Sequence, residues 1–505
     1  MSTLSDLVKP RKSHWLFLGF FLCGQVLALA PCEQVANARA QKILRGPGDE
    51  PFGVPRYQRR FCEKEWTVLV YMAADNNLSD FAKEDLLEME SPVWDSDLAT
   101  ATSSHIDVIT QLDTLGDEGV SRRQMYSYEK IAEQKNQVLS PILETLPEHN
   151  SADAKNLREF LQWGQKNFPS KRTMLVIWGH GQGWTSGAGV YGGVAFDDES
   201  KSRMSIQSMS KVLHQFVKED RDGKGIDVLA SDACLMQSFE VVAEMAGDFK
   251  NLKTQPIDFV VGSTEKQSAL GLPYHSILHY LNELYRAGSS SRNTDLDSYL
   301  LASRIPFLTK QNLDGGHLDP DAERKLTLSS ISIAQFKQSL IPQFYNFSRA
   351  LHDNLLEDTN DLFEVLHLTQ GLMAYEGGNR DVGAWAQLMD NYFQAQLRES
   401  HRYRRLAKAV SELREALSAT VIATSFGSRY VDSREQLYLL GYKAMSLWLP
   451  EDLLDYQLRR KDFLNSKLYS FIPEGKVSNP WLDLQDYLYG YQAPVDSIQN
   501  LTSAP

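Results

Sequence analysis

The chain has 505 residues, of which 42% are hydrophobic, and it carries a formal net charge of −13. A chain of this length can bury a large hydrophobic core and is expected to form about two or three domains. Its acidic balance argues against nucleic acid as a partner and suits solubility or basic substrates. Of the four cysteines, cleavage after residue 40 would leave Cys62 and Cys234, and two thiols do not make a disulfide framework in an exported chain of this size.

The first 40 residues have the pattern of a signal peptide. A basic stretch over residues 9–12 precedes an apolar run over residues 15–30, which is too short and too interrupted for a comfortable membrane-spanning helix. Small residues that suit signal cleavage follow at positions 36–40. We therefore predict an exported protein, periplasmic or secreted, with no membrane span. The alternative is a lipid anchor at Cys32, which ends a lipoprotein-like processing sequence.

Residues 41–65 contain several Pro, Gly and Arg residues and are predicted to be a linker or prosegment. Beyond them, short apolar runs typical of buried strands alternate with amphipathic segments typical of helices. Strands are predicted over residues 67–72, 105–112, 173–178, 226–230 and 259–263, helices over 80–89, 156–168 and 206–217, and an edge hairpin over 122–128. Such alternation predicts a mainly parallel α/β sheet flanked by helices.

A histidine and a cysteine follow two of these strands. His180 comes just after residues 173–178, and Cys234 comes just after residues 226–230. One helix separates the strands, so a right-handed crossover would bring both side chains to the same edge of the sheet. A helix predicted over residues 235–245 would place Cys234 at its N-terminus, where the helix dipole lowers the pKa of a thiol. The pair is the minimum for thiol acyl transfer, whereas each residue alone is more often structural.

Two sequence blocks around this pair carry a family resemblance. They are Trp-Gly-His-Gly at 178–181 and Ser-Asp-Ala-Cys-Leu-Met at 231–236, and the Cys follows the His by 54 positions. Together they resemble the clostripain family of caspase-like cysteine peptidases. Similar blocks extend the resemblance from about residue 66 to residue 450, at residues 66–78, 326–333 and 444–450.

This resemblance implies a fold and a mechanism. The fold is a caspase-like sheet, with Cys234 as the nucleophile and His180 as the general acid/base. The backbone amides of Gly181 and Cys234 would form an oxyanion hole, a preorganised pair of donors of the kind that acyl transfer needs. Protein or peptide substrates would be the partners.

The resemblance further implies cleavage after basic residues, with Asp232 in an acidic S1 pocket. Glu265 lies in a block where the family often has two consecutive acids, and here it is followed by Lys266. The same block has Leu272 where the family often has Trp. Asp232 and Glu265 are therefore the candidate substrate-binding residues. Asp232 has a second interpretation, as a cap of the following helix.

A charged segment between the two catalytic blocks predicts autoprocessing. Residues 197–203 offer Lys201 and Arg203 as bonds that an acidic S1 pocket would accept, and exposed loops are where proteolytic nicking concentrates. Residues 218–224 and the arginines at positions 56–60 are further candidates. The alternative is a loop that is charged for solubility.

No cofactor is expected. The glycines at 179, 181 and 183 imitate a nucleotide-binding loop, but the third glycine of that motif would fall on Trp184. Calcium is the alternative at the clustered acids Asp197, Asp198 and Glu199, which otherwise form a solvated loop. Residues 75–77, Asp-Asn-Asn, follow the first strand and are expected to cap the next helix or line the cleft.

The C-terminal region is predicted to be mostly helical, with helices over residues 334–355, 359–373, 382–397 and 402–423 and a late strand over 438–449. The predicted organisation is a signal peptide at 1–40, a linker or prosegment at 41–65, a caspase-like catalytic domain at 66–288 and a helical domain at 289–505. The predicted function is an exported cysteine endopeptidase. The rival is a peptide- or surface-binding module on an inactive peptidase fold.

Overall fold

A computed structural model describes residues 63–91, 101–103, 105–116, 119–128, 130, 132–186, 190–252, 255–285, 296–314, 320–358, 360–375, 378–430 and 441–490. The predicted signal peptide, its cleavage sites, Cys32 and nearly all of the predicted linker lie outside these residues. Within the described ranges, no helix combines the length and the apolar character that crossing a membrane requires. Residues from Lys64 onward form one compact unit.

The strands fall into one large sheet and several two-stranded ladders. In chain order they are β1 Lys64–Ala74, β2 Ile106–Thr114, β3 Gly119–Gln124, β4 Ile142–Pro147, β5 Ser170–Trp178, β6 Thr185–Ser186, β7 Val190–Tyr191, β8 Val194–Asp197, β9 Ser202–Met204, β10 Ile226–Asp232, β11 Ile257–Ser263, β12 Thr327–Ser332, β13 Arg380–Asp381, β14 Val421–Phe426 and β15 Ser446–Leu447. Among the residues that the structure describes, the large sheet has nine strands in the order β14-β12-β11-β10-β5-β1-β2-β3-β4.

The centre of this sheet is parallel and its edges are antiparallel. Strands β2, β1, β5, β10 and β11 pair in parallel, while β3 and β4 on one side and β12 and β14 on the other pair antiparallel. The predicted mainly parallel sheet is therefore confirmed. Of the predicted edge hairpin over 122–128, only residues 122–124 belong to a strand, β3, which lies between β2 and the edge strand β4.

The helices lie between and after the strands. They are α1 Ser79–Met89, α2 Ala154–Asn167, α3 Ile206–Gln215, α4 Phe239–Ala246, α5 Tyr274–Glu283, α6 Asp297–Asp314, α7 Pro320–Lys325, α8 Ile333–Gln335, α9 Ile341–Glu357, α10 Asn360–Gln370, α11 Val382–Glu399, α12 Arg404–Thr420, α13 Leu453–Phe463, α14 Lys467–Ser470 and α15 Pro480–Leu488. A π-helical turn at Phe216–Asp220 continues α3, and another at Phe336–Leu340 joins α8 to α9. Short 3₁₀ turns occur at Ala132–Gln134, His401–Tyr403 and Ser428–Tyr430.

Strand β1 contributes side chains to a hydrophobic cluster on each face of the sheet. Successive side chains of a strand point to opposite faces, so Leu69 and Tyr71 pack with helices α2, α3 and α4, while Val68 and Val70 pack with α1, α5 and α6. Both faces of β1 are covered, which explains why the strand reads as an almost unbroken apolar run.

The C-terminal region is mostly helical, as predicted, but it also contributes to the large sheet. Residues 421–426 form β14, where the sequence predicted a helix that continued to residue 423. Strands β12 and β14 extend the sheet beyond β11, so the sheet includes residues on both sides of the predicted domain boundary after residue 288. The boundary itself stays a prediction. Of the predicted late strand over 438–449, the described part contains the two-residue strand β15.

Candidate active site

A cleft of about 610 Å³ opens at the carboxyl ends of β1, β5 and β10. Its wall is formed by residues 78, 178–182, 196, 232–235, 266–269 and 271. Ligands of open α/β sheets bind at this edge, because the loops that leave the parallel strands converge there. His180, Gly181, Asp232 and Cys234 all line this cleft, so the structure brings four of the predicted site residues together.

The pairing of β5 with β10 explains why His180 and Cys234 meet. Trp178, the last residue of β5, is the register partner of Asp232, the last residue of β10. His180 and Cys234 each follow at the same offset from these partners. Because the two strands are neighbours and run in parallel, both side chains leave the sheet at the same edge, as the sequence predicted.

Gly179 lets the chain turn sharply between β5 and His180. Its φ is +135°, and a Cβ at this position would lie 2.7 Å from the carbonyl oxygen of Ala73 on β1. Glycine is the residue that tolerates both conditions. The turn leaves His180 half-buried, with its ring centroid 5.8 Å from that of Phe196 and its Nε2 2.6 Å from Oδ1 of Asn77.

The surroundings of His180 favour the neutral imidazole. Burial lowers the pKa of His180 below its usual value, and the negative charge of Asp198 opposes this effect. A neutral imidazole has one nitrogen that can accept a proton. This side chain is therefore suited to act as a base toward a thiol in the same cleft.

The structure corrects the predicted environment of Cys234. Helix α4 begins at Phe239, capped by the Ser238 side chain, so Cys234 lies several residues before the helix and not at its N-terminus. The influence of a helix end falls off within about one turn. The chain instead bends at Leu235, whose φ is +62°, and the backbone N–H of Gln267 donates to the Cys234 Sγ at 3.3 Å. A hydrogen bond to sulfur favours the thiolate.

Gly181 lies against the backbone of Cys234. A Cβ on Gly181 would be 2.4 Å from the carbonyl oxygen of Cys234 and 3.1 Å from its nitrogen, so no larger residue fits without movement. Gly181 also forms an antiparallel bridge with Val194, flanked by hydrogen bonds from Gln182 N–H to Gly193 and from Ala195 N–H to His180. In such a pair the N–H of each bridging residue points away from the other strand, so the N–H of Gly181 points away from Val194.

Asp232 is a buried carboxylate at the base of the cleft. Its oxygens accept hydrogen bonds from the backbone N–H of Leu272, at 3.1 and 3.0 Å, and from the Tyr274 hydroxyl, at 2.9 Å. Burial raises the pKa of Asp232 to about 6, and these hydrogen bonds act in the opposite direction. The alternative interpretation of Asp232 as a helix cap is wrong, because Ser238 caps α4.

Two more carboxyl groups of α1 lie behind Asp232. Asp85 accepts a hydrogen bond from the Trp178 indole at 2.6 Å, and Glu88 accepts one from the backbone of His275 at 3.3 Å. Burial raises the pKa of Glu88 to about 7 and that of Asp85 well above its usual range, with the charge of Asp232 contributing to both. The side of the cleft that holds Asp232 is therefore acidic.

Glu265 lies away from the cleft lining. Its buried carboxylate accepts a hydrogen bond from the Tyr430 hydroxyl at 3.1 Å and is 4.0 Å from the Arg429 guanidinium. Its backbone carbonyl accepts a hydrogen bond from Leu235 N–H, which supports the bend after Cys234. The next residue, Lys266, does line the cleft.

The two predicted autoprocessing residues lie on one hairpin beside the cleft. Strands β8 and β9 pair with each other, and Lys201 is an exposed residue of their turn with a φ of +51°. Arg203 is half-buried on β9, where it donates to the Gln182 side chain at 3.1 Å and covers the ring of Phe196. Both Gln182 and Phe196 line the cleft.

A group of acids behind this hairpin could hold a cation. Asp75, Glu148 and Glu199 each place one carboxylate oxygen within 4.8 Å of the others. Asp75 and Asp113 are both 1% exposed, and within the described structure each has one oxygen without a hydrogen-bond donor. Of the predicted calcium candidates, Glu199 belongs to this group.

The other two calcium candidates are placed differently. Both oxygens of Asp197 accept backbone N–H donors, from Ser151 and Ser200, at 2.8 and 2.7 Å. Asp198 bonds through its backbone N–H to the carbonyl of Asp75, and its charge acts on His180. Glu199 alone of the three therefore offers an oxygen to the acid group.

Sequence reasoning missed two contacts at this site. Asn77 was assigned to capping or to a general place in the cleft, whereas its side chain meets His180. Gln267 had no assigned role, and its contact with Cys234 uses a backbone N–H that any residue type carries. The only signal for Asn77 was its place just after a strand that ends at the same edge of the sheet.

Comparisons with known proteins give the family and the fold. A sequence model of the clostripain family of peptidases matches residues 70–463. Among solved structures, an inactive zymogen C11 protease from Parabacteroides distasonis is 19% identical, with a TM-score of 0.52 over 81% of this chain and 98% of that one. This likeness shows the fold.

A secreted C11 cysteine protease from Bacteroides thetaiotaomicron, in complex with an irreversible peptide inhibitor, is 19% identical with a TM-score of 0.47, over 79% of this chain and 98% of that one. No curated protein matches the sequence significantly. The family match spans most of the chain and includes both blocks that line the cleft. The chain therefore belongs to the clostripain family of cysteine peptidases.

Proposed function

We propose that the protein is an exported cysteine endopeptidase that cleaves after Arg or Lys, with Cys234 and His180 as its catalytic dyad. The observation that carries the proposal is the placement of both side chains in one cleft, at equal offsets from the paired strand ends Trp178 and Asp232. Export is supported by the basic and apolar pattern of residues 9–30.

The proposed reaction passes through a thioester. The Cys234 sulfur attacks the scissile carbonyl carbon while His180 takes the thiol proton. The oxygen of the tetrahedral intermediate accepts hydrogen bonds from the backbone N–H groups of Gly181 and Cys234. His180 then gives its proton to the leaving amine as the C–N bond breaks. A water molecule, deprotonated by His180, hydrolyses the thioester and returns the thiol.

The proposed preference for basic residues at the cleavage site rests on Asp232. Its carboxylate is buried at the base of the cleft, with Asp85 and Glu88 behind it. A guanidinium or ammonium group would replace the hydration that burial removes from this carboxylate. Lys266 lines the same cleft, so the positive substrate group is expected to lie on the Asp232 side.

Substitution Asp232→Asn should reduce kcat/KM for an Arg substrate by about 10²-fold, the loss typical of a charged hydrogen bond. The loss for a substrate with a neutral residue in the same position should be much smaller. Measurement of kcat/KM for the two fluorogenic peptides tests this expectation. Tyr274→Phe is the matched control, because it removes a hydrogen bond to Asp232 and keeps the charge. Equal losses on both substrates would contradict the role in specificity.

We also propose autoprocessing at Lys201. The residue is exposed at the β8–β9 turn, whereas the side chain of Arg203 is held by Gln182 and Phe196. Strands β5 and β10 lie on either side of this cut and belong to one hydrogen-bonded sheet, so the two fragments would stay together.

Intact-mass analysis of the purified protein should show two fragments, with the first ending at Lys201. Cys234→Ala protein and Lys201→Ala protein should each remain a single chain. A fully active wild-type enzyme that remains uncut would rule out autoprocessing as a requirement for activity.

We propose that calcium binds the acid group formed by Asp75, Glu148 and Glu199, as a stabilising ion outside the reaction itself. Calcium prefers carboxylate oxygens.

Burial raises the pKa of Asp75 to about 6 and that of the adjacent Asp113 to about 7, with neighbouring carboxylates adding to both effects. Between about pH 4 and these raised pKa values, the folded protein therefore binds more protons than the unfolded chain, whose Asp residues have pKa values of about 4. Without an ion, stability should fall as the pH rises through that window.

Calcium should raise the unfolding midpoint more at pH 8 than at pH 5, because protons compete for the same carboxylates. At about 100 times the dissociation constant the gain is about 2.7 kcal/mol. Thermal unfolding with and without calcium measures the effect, and Glu199→Gln should reduce it. An unchanged midpoint at both pH values would contradict the proposal.

Fluorogenic peptides that vary only in the residue before the cleaved bond test the function as a whole. The proposal expects hydrolysis of the Arg and Lys peptides by the wild type and none by Cys234→Ala. A protein that binds these peptides without cleaving any of them, even after limited proteolysis at the β8–β9 turn, would support the rival binding module.

A further inference from the structure

We infer that Asn77 is a positioning residue for His180, which fixes the ring so that Nδ1 exchanges the proton with Cys234. The inference rests on the proposed function, in which His180 is the general acid/base. It starts from the 2.6 Å contact between Oδ1 of Asn77 and Nε2 of His180, which lies in the cleft that also contains Cys234.

The turn that carries Asn77 is held on two sides. The neighbouring Asn76 is completely buried, and its amide donates to the carbonyl oxygens of Ala73, at 3.0 Å, and Phe196, at 2.8 Å. Its Oδ1 accepts the backbone N–H of Leu78 at 3.0 Å. Asn77 itself is exposed, so it leaves a rigid turn and reaches His180 from the solvent side.

The same contacts tie this turn to the other side of the histidine ring. Phe196, whose carbonyl receives the Asn76 amide, packs its ring against that of His180. The backbone N–H of Asp198 further donates to the carbonyl of Asp75 at 2.7 Å. The ring of His180 therefore contacts both Asn77 and Phe196, two groups that one hydrogen-bonded unit holds in place.

The chemistry of the contact selects a tautomer. An amide oxygen accepts hydrogen bonds and has no hydrogen to give, so Nε2 of His180 must carry the proton in this pair. In the neutral ring the lone pair is then on Nδ1, which becomes the basic nitrogen. When Nδ1 takes the thiol proton, the ring becomes positive and the Asn77 oxygen stabilises that charge.

Other charged groups also act on His180. Asp198 of the β8–β9 hairpin favours its protonated form. Asp232 at the end of β10, Cys234 two residues later and Lys266 after β11 line the same cleft. A comparison of two substitutions at position 77 leaves all of these groups in place, so any difference in pH dependence between them reports on the contact itself.

The test is the pH profile of kcat/KM for an Arg peptide, because its acid limb reports the ionisation of the essential base. Asn77→Ala should lower the plateau about tenfold, through kcat rather than KM, the effect of one ordinary hydrogen bond. Its acid limb should move to lower pH, since the protonated ring loses an acceptor. Asn77→Asp should move the acid limb to higher pH, because a carboxylate favours the charged ring.

Asn346→Ala, which removes an exposed asparagine from helix α9, is the matched control and should leave the profile unchanged. An acid limb that stays at the wild-type pH in both position-77 variants would overturn the inference, even if activity fell. A wild-type protein that cleaves none of the peptides would instead overturn the proposed function.

Discussion

Replacement of Cys234 by alanine is expected to reduce peptide hydrolysis by at least about 10⁴-fold, as loss of the nucleophile does in other acyl-transfer peptidases. His180→Ala should cause a loss of similar size, because the thiol then has no base. Both side chains are half-buried in loops after strand ends, so the unfolding free energy should change by less than about 1 kcal/mol. Kinetic assays beside circular dichroism melts measure the two effects.

A histidine elsewhere on the chain provides the control. His401 is exposed in the 3₁₀ turn before α12, and His401→Ala should keep full hydrolysis. Hydrolysis that survives in the Cys234 variant would mean that another group is the nucleophile. Hydrolysis lost in all three variants would point to impaired folding.

The second large effect is expected from Gly181→Ala. The added methyl group would lie 2.4 Å from the carbonyl oxygen of Cys234, a distance that no Cβ adopts, so the two backbone segments must separate. In the proposed mechanism the N–H groups of Gly181 and Cys234 donate to one oxygen, and this separation would prevent it. Loss of one oxyanion donor costs about 10²–10³ in kcat. We expect a decrease in kcat of that size, with a smaller change in KM.

Gly371→Ala is the matched substitution, since its nearest atom would be 3.3 Å away, in a turn after α10. It should leave kcat unchanged. If Gly181→Ala retains the wild-type kcat, the oxyanion is stabilised elsewhere.

The shared edge of His180 and Cys234 could be predicted from sequence because it depends on strands. Residues 173–178 and 226–230 are short apolar runs, and the observed strands β5 and β10 include both. Parallel neighbours necessarily release their next residues at one edge. His180 and Cys234 could therefore be placed together without knowledge of any loop.

Loop geometry could not be predicted in the same way. The sequence predicted a helix directly after Cys234, because apolar residues recur at helical spacing from Leu235 onward. In the structure Leu235 has a positive φ, and α4 begins later, at Phe239. Spacing of side chains carries no information about the backbone turn that separates a strand from its helix.

Contacts between distant segments were also beyond sequence reasoning. Asn77 lies 103 positions from His180, and Glu265 lies 165 positions from Tyr430. Glu265 was predicted to bind the substrate. Its carboxylate instead accepts a hydrogen bond from Tyr430, a residue of the C-terminal region. Strand β14 was read as the end of a helix for a similar reason, because its place in the sheet depends on pairing with β12.

Labelling of the wild-type protein with a thiol-reactive peptide that carries Arg before the reactive group would identify the nucleophile. One adduct is expected, located by tandem mass spectrometry on Cys234, out of the four cysteines in the sequence. Its formation should abolish hydrolysis and should slow markedly in His180→Ala protein. An adduct on a different residue that abolishes hydrolysis, or full hydrolysis by a protein labelled at Cys234, would show that Cys234 is not the nucleophile.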